Sequence, residues 1–378
     1  MKYSEKINQI LHRLMRYYVL RQYHKKSFKV ERKFPELFKQ VSATLSQKHK
    51  TLWGKLGIKS GDRWLRLHVN LTGIEDYRFC PEDIFFACIE RILNDCNAAN
   101  MGIEDKNELW RYVPKGSEPK VYLRYVRGSF FDSNANWISE AKAELILERL
   151  QMDVVGKHCQ SSGGNGVCCF RRVGNNLQCD EVRLSTEWIK QQGDSYIVQE
   201  KIKQDEFSSQ FNFSSINTVR MMTLRCPWNG EIVVCRSMMR MGTSGEIVDN
   251  MMKGGLCVCM GDKGQLGKFA YDYDGKRYEK HPVSNLTFEG LVHPGYNAMV
   301  MLAKEIASKV PYYNLLSFDF VPREDGTIYV VEINATSQGI TQLQYDFGPL
   351  FGEETERLVA WCAQHQNLDI FNHFRTWF

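Results

Sequence analysis

Residues 315–334 read LLSFDFVPREDGTIYVVEIN. The segments Leu315–Val321 and Thr327–Asn334 are strand-like, rich in aromatic and β-branched residues. Asp325-Gly326 between them predicts a two-residue hairpin turn. With that dipeptide at the turn centre, Glu324 faces Thr327, Val321 faces Val330 and Asp319 faces Glu332. A side-chain period of two then puts Asn334 on the same face as Glu332.

Directly opposed strand residues have Cβ atoms about 4.5–5.5 Å apart, and like charges there repel. Asp319 and Glu332 therefore need a counter-charge. A divalent cation supplies one, and the amide oxygen of Asn334 is a further hard ligand. Asp319, Glu332 and Asn334 are the candidate metal ligands. An all-oxygen set of this kind suits Mg²⁺, with Mn²⁺ as a substitute. The bland alternative makes both acids solvent-facing residues with Lys or Arg partners. Their neighbours Phe318, Phe320, Val330, Val331 and Ile333 instead place the strands in a core sheet.

Upstream, Val154-Val155-Gly156-Lys157 runs into Ser161-Ser162-Gly163-Gly164-Asn165-Gly166 before strand residues resume. Glycines let backbone N–H groups approach a phosphate, and Lys157 adds a positive charge. The Walker spacing is absent, because no Lys-Ser or Lys-Thr follows the glycines. Such a loop is a weak signal by itself. Its weight comes from the carboxylate hairpin further on.

The rest of the chain reads as α+β in three parts. Residues 1–115 form a helical N-terminal region, 116–205 a small α+β unit, and 206–378 a larger antiparallel sheet with flanking helices. In the first part Ile7, Ile10, Leu11, Leu14, Tyr17 and Tyr18 recur at helical spacing beside Lys6, Arg13, Arg16 and Arg21. This amphipathic helix packs on a neighbour, with its basic face solvated; peripheral contact with an anionic membrane is the other reading. Further helices are expected across Pro81–Ala98, Asn107–Tyr112, Ser139–Leu150, Gly295–Lys309 and Glu353–Gln364.

Composition narrows the classes. Of 378 residues, 43% are apolar and 25% charged, enough for a sizeable core. A net charge of +5 is too mild to argue for nucleic acid. No apolar run approaches the roughly 20 residues that span a bilayer. The twelve cysteines lack the two-residue spacing of a zinc knuckle. They read as small buried apolar residues in a reducing, cytoplasmic setting.

The order of these motifs resembles the ATP-grasp superfamily, most closely its sugar-transfer-associated branch, over roughly residues 60–360. Phe318-Asp319-Phe320 followed by Val331-Glu332-Ile333-Asn334 looks like the superfamily's metal-binding ending. Glu104-Asp105-Lys106-Asn107 looks like the segment whose lysine contacts ATP phosphates. Lys157 with Ser161–Gly166, including Ser162, Gly163, Gly164 and Gly166, looks like the lid strand and its phosphate loop. Tyr196–Ile202, with Gln199, Glu200 and Ile202, looks like the hinge that pairs with adenine. Ser215–Arg220 and Arg240–Gly255 match the branch more than the superfamily.

The resemblance implies two α+β subdomains gripping ATP. It implies that Arg220 and Arg240 face the transferring phosphoryl group or acyl intermediate, and that Asn250 sits near the metal. Arg220 as a structural ion pair, and Arg240 paired with Asp249, are equally open. For the ribose, Asp205 and Glu206 are candidates. After Asn334 relatives often carry a proline where this chain has Ala335-Thr336-Ser337-Gln338-Gly339. The implied reaction is an ADP-producing carboxylate–amine ligation through an acyl phosphate. The implied substrates are an amine and a small-molecule or glycan carboxylate, such as a uronic acid in polysaccharide synthesis. An amino-acid or peptide ligase, a phosphotransferase and a nucleotide-binding accessory protein are the alternatives.

Overall fold

A computed structural model of the chain describes residues 2–94, 102–160, 166–174, 176–243, 249 and 251–366. Three helices open it: α1 (Lys2–Lys33), α2 (Ala43–Gly54) and α3 (Arg63–Thr72). A fourth helical stretch runs from Glu82 through a π-helical turn at Phe85–Ile89 to Leu93.

Two antiparallel sheets follow. The first comprises β1 (Val121–Val126), β2 (Ser129–Phe131), β3 (Trp137–Ile138), β4 (Val154–His158), β5 (Cys168–Val173), β6 (Asn176–Cys179), β7 (Val182–Arg183) and β8 (Ser195–Glu200). Its spatial order is β3-β2-β1-β8-β4-β5-β6-β7. The helix Glu140–Arg149 covers it, burying Ala143 and Leu147 against Leu123, Phe170 and Val198.

The second sheet comprises β9 (Val219–Arg225), β10 (Ile232–Met241), β11 (Leu256–Met260), β12 (Leu266–Tyr271), β13 (Arg277–Tyr278), β14 (Leu315–Pro322) and β15 (Ile328–Asn334). Its order is β13-β12-β11-β10-β9-β14-β15. Its two faces are covered by different helices, and the strand period of two sorts the residues between them. Met221 and Val219 of β9, with Phe318 and Phe320 of β14, pack under Met299, Ala303 and Ile306 of the helix Tyr296–Lys309. On the opposite face Met222, Leu224 and Leu315 meet Trp53, Phe85 and Ile89 of the N-terminal helices. The N-terminal region is thus part of the same core as the second sheet.

Among the described residues no cysteine is disulfide-bonded and most are buried. No helix among them is long and apolar enough to cross a membrane. Val19, Leu20 and Tyr23 of α1 pack on the core, with Tyr23 stacked on Phe86 at 4.3 Å between ring centroids. Towards the start of α1, Ile7, Ile10, Leu14, Tyr17 and Tyr18 are exposed.

The β14–β15 hairpin departs from its expected local form. Its turn is a three-residue loop, Glu324-Asp325-Gly326, closed by the Arg323 N–H donating to Thr327 O at 2.9 Å. Asp325 Oδ1 accepts from Thr327 N and Oγ1, holding Asp325 at negative φ, while Gly326 takes φ 80°. Val321 therefore faces Tyr329 rather than Val330. A bulge between the Asp319 and Phe320 pairings takes up one residue on β15, and Asp319 comes to lie opposite Glu332.

Candidate active site

The loop–bulge combination sets up a charged row across the second sheet. Arg220 of β9 lies opposite Asp319 of β14, and Asp319 lies opposite Glu332 of β15. Arg240, at the end of β10, donates its backbone N–H to Thr218 O just before β9. The bulge also lets Val331 and Glu332, successive residues, line one cavity together with Asn334. That cavity has a volume of about 700 Å³ and lies between the two sheets.

Inside it the acids are already matched by cations. Arg220 grips the buried Asp319 through two bonds, Nε to Oδ1 at 2.7 Å and Nη2 to Oδ2 at 2.7 Å. Arg240 Nη2 adds a third, to Oδ2 at 3.0 Å. Burial alone would raise the Asp319 carboxyl, but the guanidiniums of Arg220 and then Arg240 outweigh it and hold it well below the usual carboxylate range. Arg240 is itself oriented by Thr218 Oγ1 at 3.0 Å and stands 3.6 Å from Asp249 Oδ2. Asp249 in turn accepts from Thr218 N and Oγ1.

Glu332 is served from outside the sheet. Lys106 Nζ donates to its Oε1 at 2.9 Å, and the Lys106 N–H bonds Cys159 O at the end of β4. Lys157 of β4 faces the same cavity, two residues from Val155. Burial, and then the Lys106 ammonium, lower the Lys157 ammonium to about 8, with Glu332 pulling the other way.

Opposite the charged row runs the turn out of β8. Gln199, Glu200 and Ile202 line the cavity. The Glu200 carboxylate accepts from Lys120 N at 2.7 Å and from the Tyr329 hydroxyl at 2.8 Å, so this turn is tied to both sheets. Gly166 has φ 70°, and a Cβ there would lie 2.1 Å from His158 Cδ2, so the residue closing the glycine loop admits no side chain. Ser162, Gly163, Gly164 and Asn250 lie outside the described residues.

Two expectations need correction. The counter-charge for Asp319 and Glu332 comes from Arg220, Arg240 and Lys106 rather than from a metal ion alone. Asp205, expected at the ribose, is not among the cavity's lining residues. Its carboxylate caps the short helix Glu206–Ser209, accepting from Ser208 N at 2.9 Å.

The donor set nonetheless fits a cation carrying phosphates in part. Glu332 and Asn334 line the cavity, and Asn334 Nδ2 is a buried amide group with no partner, which a phosphate oxygen would satisfy. Asp319 offers only the lone pairs its arginines leave. Among the described residues no group of three Asp, Glu, His or Cys side chains is placed to hold a metal.

Two acids to which the sequence assigned no role hold the loop after Asn334. Glu104 accepts from the N–H groups of Ala335 and Thr336 and from Thr336 Oγ1. Glu90 accepts from the Gln338 N–H at 2.9 Å. Burial pushes the Glu90 carboxyl up to about 7, against the pull of the Gln338 and Ser337 N–H groups. Asn94 Nδ2 donates to Ala335 O and to Leu315 O. A lone acid in the run Phe85–Leu93, apolar but for Glu90 and Arg91, was the available signal for Glu90.

A family described as sugar-transfer associated ATP-grasp matches residues 119–355. No curated protein matches the chain by sequence. Among solved structures, an N5-carboxyaminoimidazole synthetase from Staphylococcus aureus complexed with ADP is 10% identical, with TM-score 0.36, over 63% of this chain and 46% of that one. An L-amino acid ligase from Bacillus licheniformis is 12% identical, with TM-score 0.37, over 63% and 44%. A D-Ala:D-Ser ligase from Enterococcus faecalis is 14% identical, with TM-score 0.39, over 70% and 62%. The chain thus spans about half the length of the first two.

Proposed function

The chain belongs to the sugar-transfer associated ATP-grasp family, and from that footing we propose that it uses ATP to activate a carboxylate and joins it to an amine. The observation that carries this reading is the row Arg240–Arg220–Asp319–Glu332–Lys106 on the floor of the cavity between the sheets.

The cavity sorts a nucleotide by polarity. Val155, Ile202 and Val331 make an apolar wall for the base beside the backbone that leaves β8. Lys106 and Lys157 hold the phosphates as point charges. Mg²⁺ would be held by Glu332 and Asn334, with Asp319 behind them, and would neutralise phosphate charge. A substrate carboxylate oxygen attacks the γ-phosphorus and ADP leaves. The amine then attacks the acyl carbon and inorganic phosphate leaves. Arg220 and Arg240, fixed by Asp319 and Thr218, need no reorganisation to meet the charge that develops.

The finer reading is a uronic-acid or related carboxylate in a glycan or its precursor, and it rests on the family's description alone. An ATP-fed reaction of this kind belongs in the cytoplasm. The test is incubation with ATP, uronate-bearing and amino-acid carboxylates, and amines, with the product read by mass spectrometry. ADP, phosphate and an amide are expected. Release of AMP overturns the acyl-phosphate route. A phosphorylated product that forms without an amine makes the protein a phosphotransferase.

Lys157 gives a binding signature independent of substrate. It holds phosphate as an ammonium, and with its value lowered to about 8 it is partly neutral at pH 8. A bound polyphosphate restores the charge, so nucleotide binding should take up protons. Calorimetry at pH 8 in buffers of different ionisation heat should report uptake approaching about half a proton per nucleotide, fading below about pH 7. Lys157→Arg, charged throughout, should abolish it. Buffer-independent enthalpies in the unaltered protein would refute this role.

A further inference from the structure

A second cavity, of about 350 Å³, shares no lining residue with the first. It lies between the C-terminal half of α1, α3 and the loop beyond β15. Its size falls at the lower end of small-molecule sites, about 300–1,000 Å³, with room for one substituted ring.

Two buried polar atoms belong to residues on its wall and have no hydrogen-bond partner: Trp64 Nε1 and Thr341 Oγ1. These residues are 3% and 6% exposed. Each such orphan costs about 1–3 kcal/mol unless something arrives to satisfy it. Trp64 can only donate, so what it lacks is an acceptor.

The rim carries three lysines and one acid, Asp274. Lys26, Lys29 and Lys33 follow one face of α1. Lys26 is paired with Glu82 and Lys33 with Asp274. Lys29 pairs with no acid among the described residues. Between rim and orphans the wall is apolar, formed by Val30, Phe34 and Leu67. Among the described residues, a lysine without an acid, an apolar wall and two wall residues with unpartnered polar atoms together suit a single ligand type.

We propose that this cavity is a second ligand site, taking a small cyclic organic anion that carries an acceptor oxygen away from its charge. The anion meets Lys29, the ring lies along Val30 and Phe34, and the distal oxygen accepts from Trp64 and Thr341. Thr341 stands four residues beyond Ser337, which lines the first cavity, so the two sites flank one loop.

The test is calorimetric titration of the full chain with glucuronate and with glucose 1-phosphate, which separate a carboxylate from a phosphate as the preferred anion. Glucose and inorganic phosphate are the controls for charge and ring. At least one ring anion should bind with millimolar or better affinity, and neither control should match it. Thr341→Val should weaken that binding about tenfold, the equivalent of about 1.4 kcal/mol. Lys29→Glu should weaken it at least as much. ADP binding should be unchanged in both variants, which shows that they fold. The proposal fails if neither ring anion binds, if glucose or phosphate binds as well, or if both variants bind like the parent.

Discussion

Replacing Glu332 by Gln is expected to lower turnover about 100- to 1,000-fold while leaving the protein folded. The substitution keeps the side chain's shape and removes its charge. Glu332 stands at the end of the charged row, and Lys106 takes only its Oε1. Without it Lys106 and Lys157 lose their local counter-charge, and a cation carrying ATP loses its anionic anchor. Removing one preorganised electrostatic group from an active site typically costs a factor of about 10²–10³. The side chain is 23% exposed, so stability should move by about 0.5 kcal/mol or less. Steady-state ADP release with a productive carboxylate and amine measures the first effect, and thermal unfolding the second. A variant that turns over at parental rate would remove Glu332 from the chemistry.

Asp319→Asn should do the reverse, striking stability hardest. Its carboxylate is 1% exposed and neutralises two guanidiniums packed against it. Breaking a buried ion pair from one side leaves an uncompensated charge and costs about 3–5 kcal/mol. That loss should lower the thermal midpoint by roughly 5–10 °C. Removing all three charges together, as Arg220→Met, Asp319→Leu and Arg240→Met, should recover much of the stability and none of the activity. The pH dependence follows from the sign of the shift. Asp319 is held below the ordinary carboxylate value, so its contribution is complete above that value and is lost as pH falls through the folded one. The Asn variant should therefore show a flatter loss of stability below about pH 4. A single variant as stable as the parent at neutral pH would mean that the arginines do not depend on Asp319.

The pairing of Asp319 with Glu332 was legible in the sequence, but by a route with two local faults that cancel. The turn holds one residue more than Asp-Gly suggests, because the Asp325 side chain bonds Thr327 and keeps its own φ negative. The bulge on β15 absorbs that residue. Neither is visible in a pattern of alternating apolar residues. The helices at Lys2–Lys33, Glu140–Arg149 and Tyr296–Lys309 were readable. α2 was not, because Ser46, His49 and Trp53 sit on its buried face and blur the apolar stripe, whereas α3 has a clear apolar face that the expectations omit. The partners of Asp319 depend on strands far apart in sequence coming side by side, and only topology shows that. Asp205 shows the converse: its acidic side chain suggested a ligand contact, while its position one residue before a short helix made it a cap.

The grip of Glu90, Asn94 and Glu104 on the loop after Asn334 bears on where this chain can be cut. These side chains, like Lys106, all precede the first strand of either sheet. A fragment that begins at β1 would keep both sheets and the hairpin yet release 335–338 from its anchors and strip Glu332 of its ammonium partner. The smallest unit that keeps the proposed site whole is therefore longer than the two-sheet body, and the leading helices belong with it as one piece.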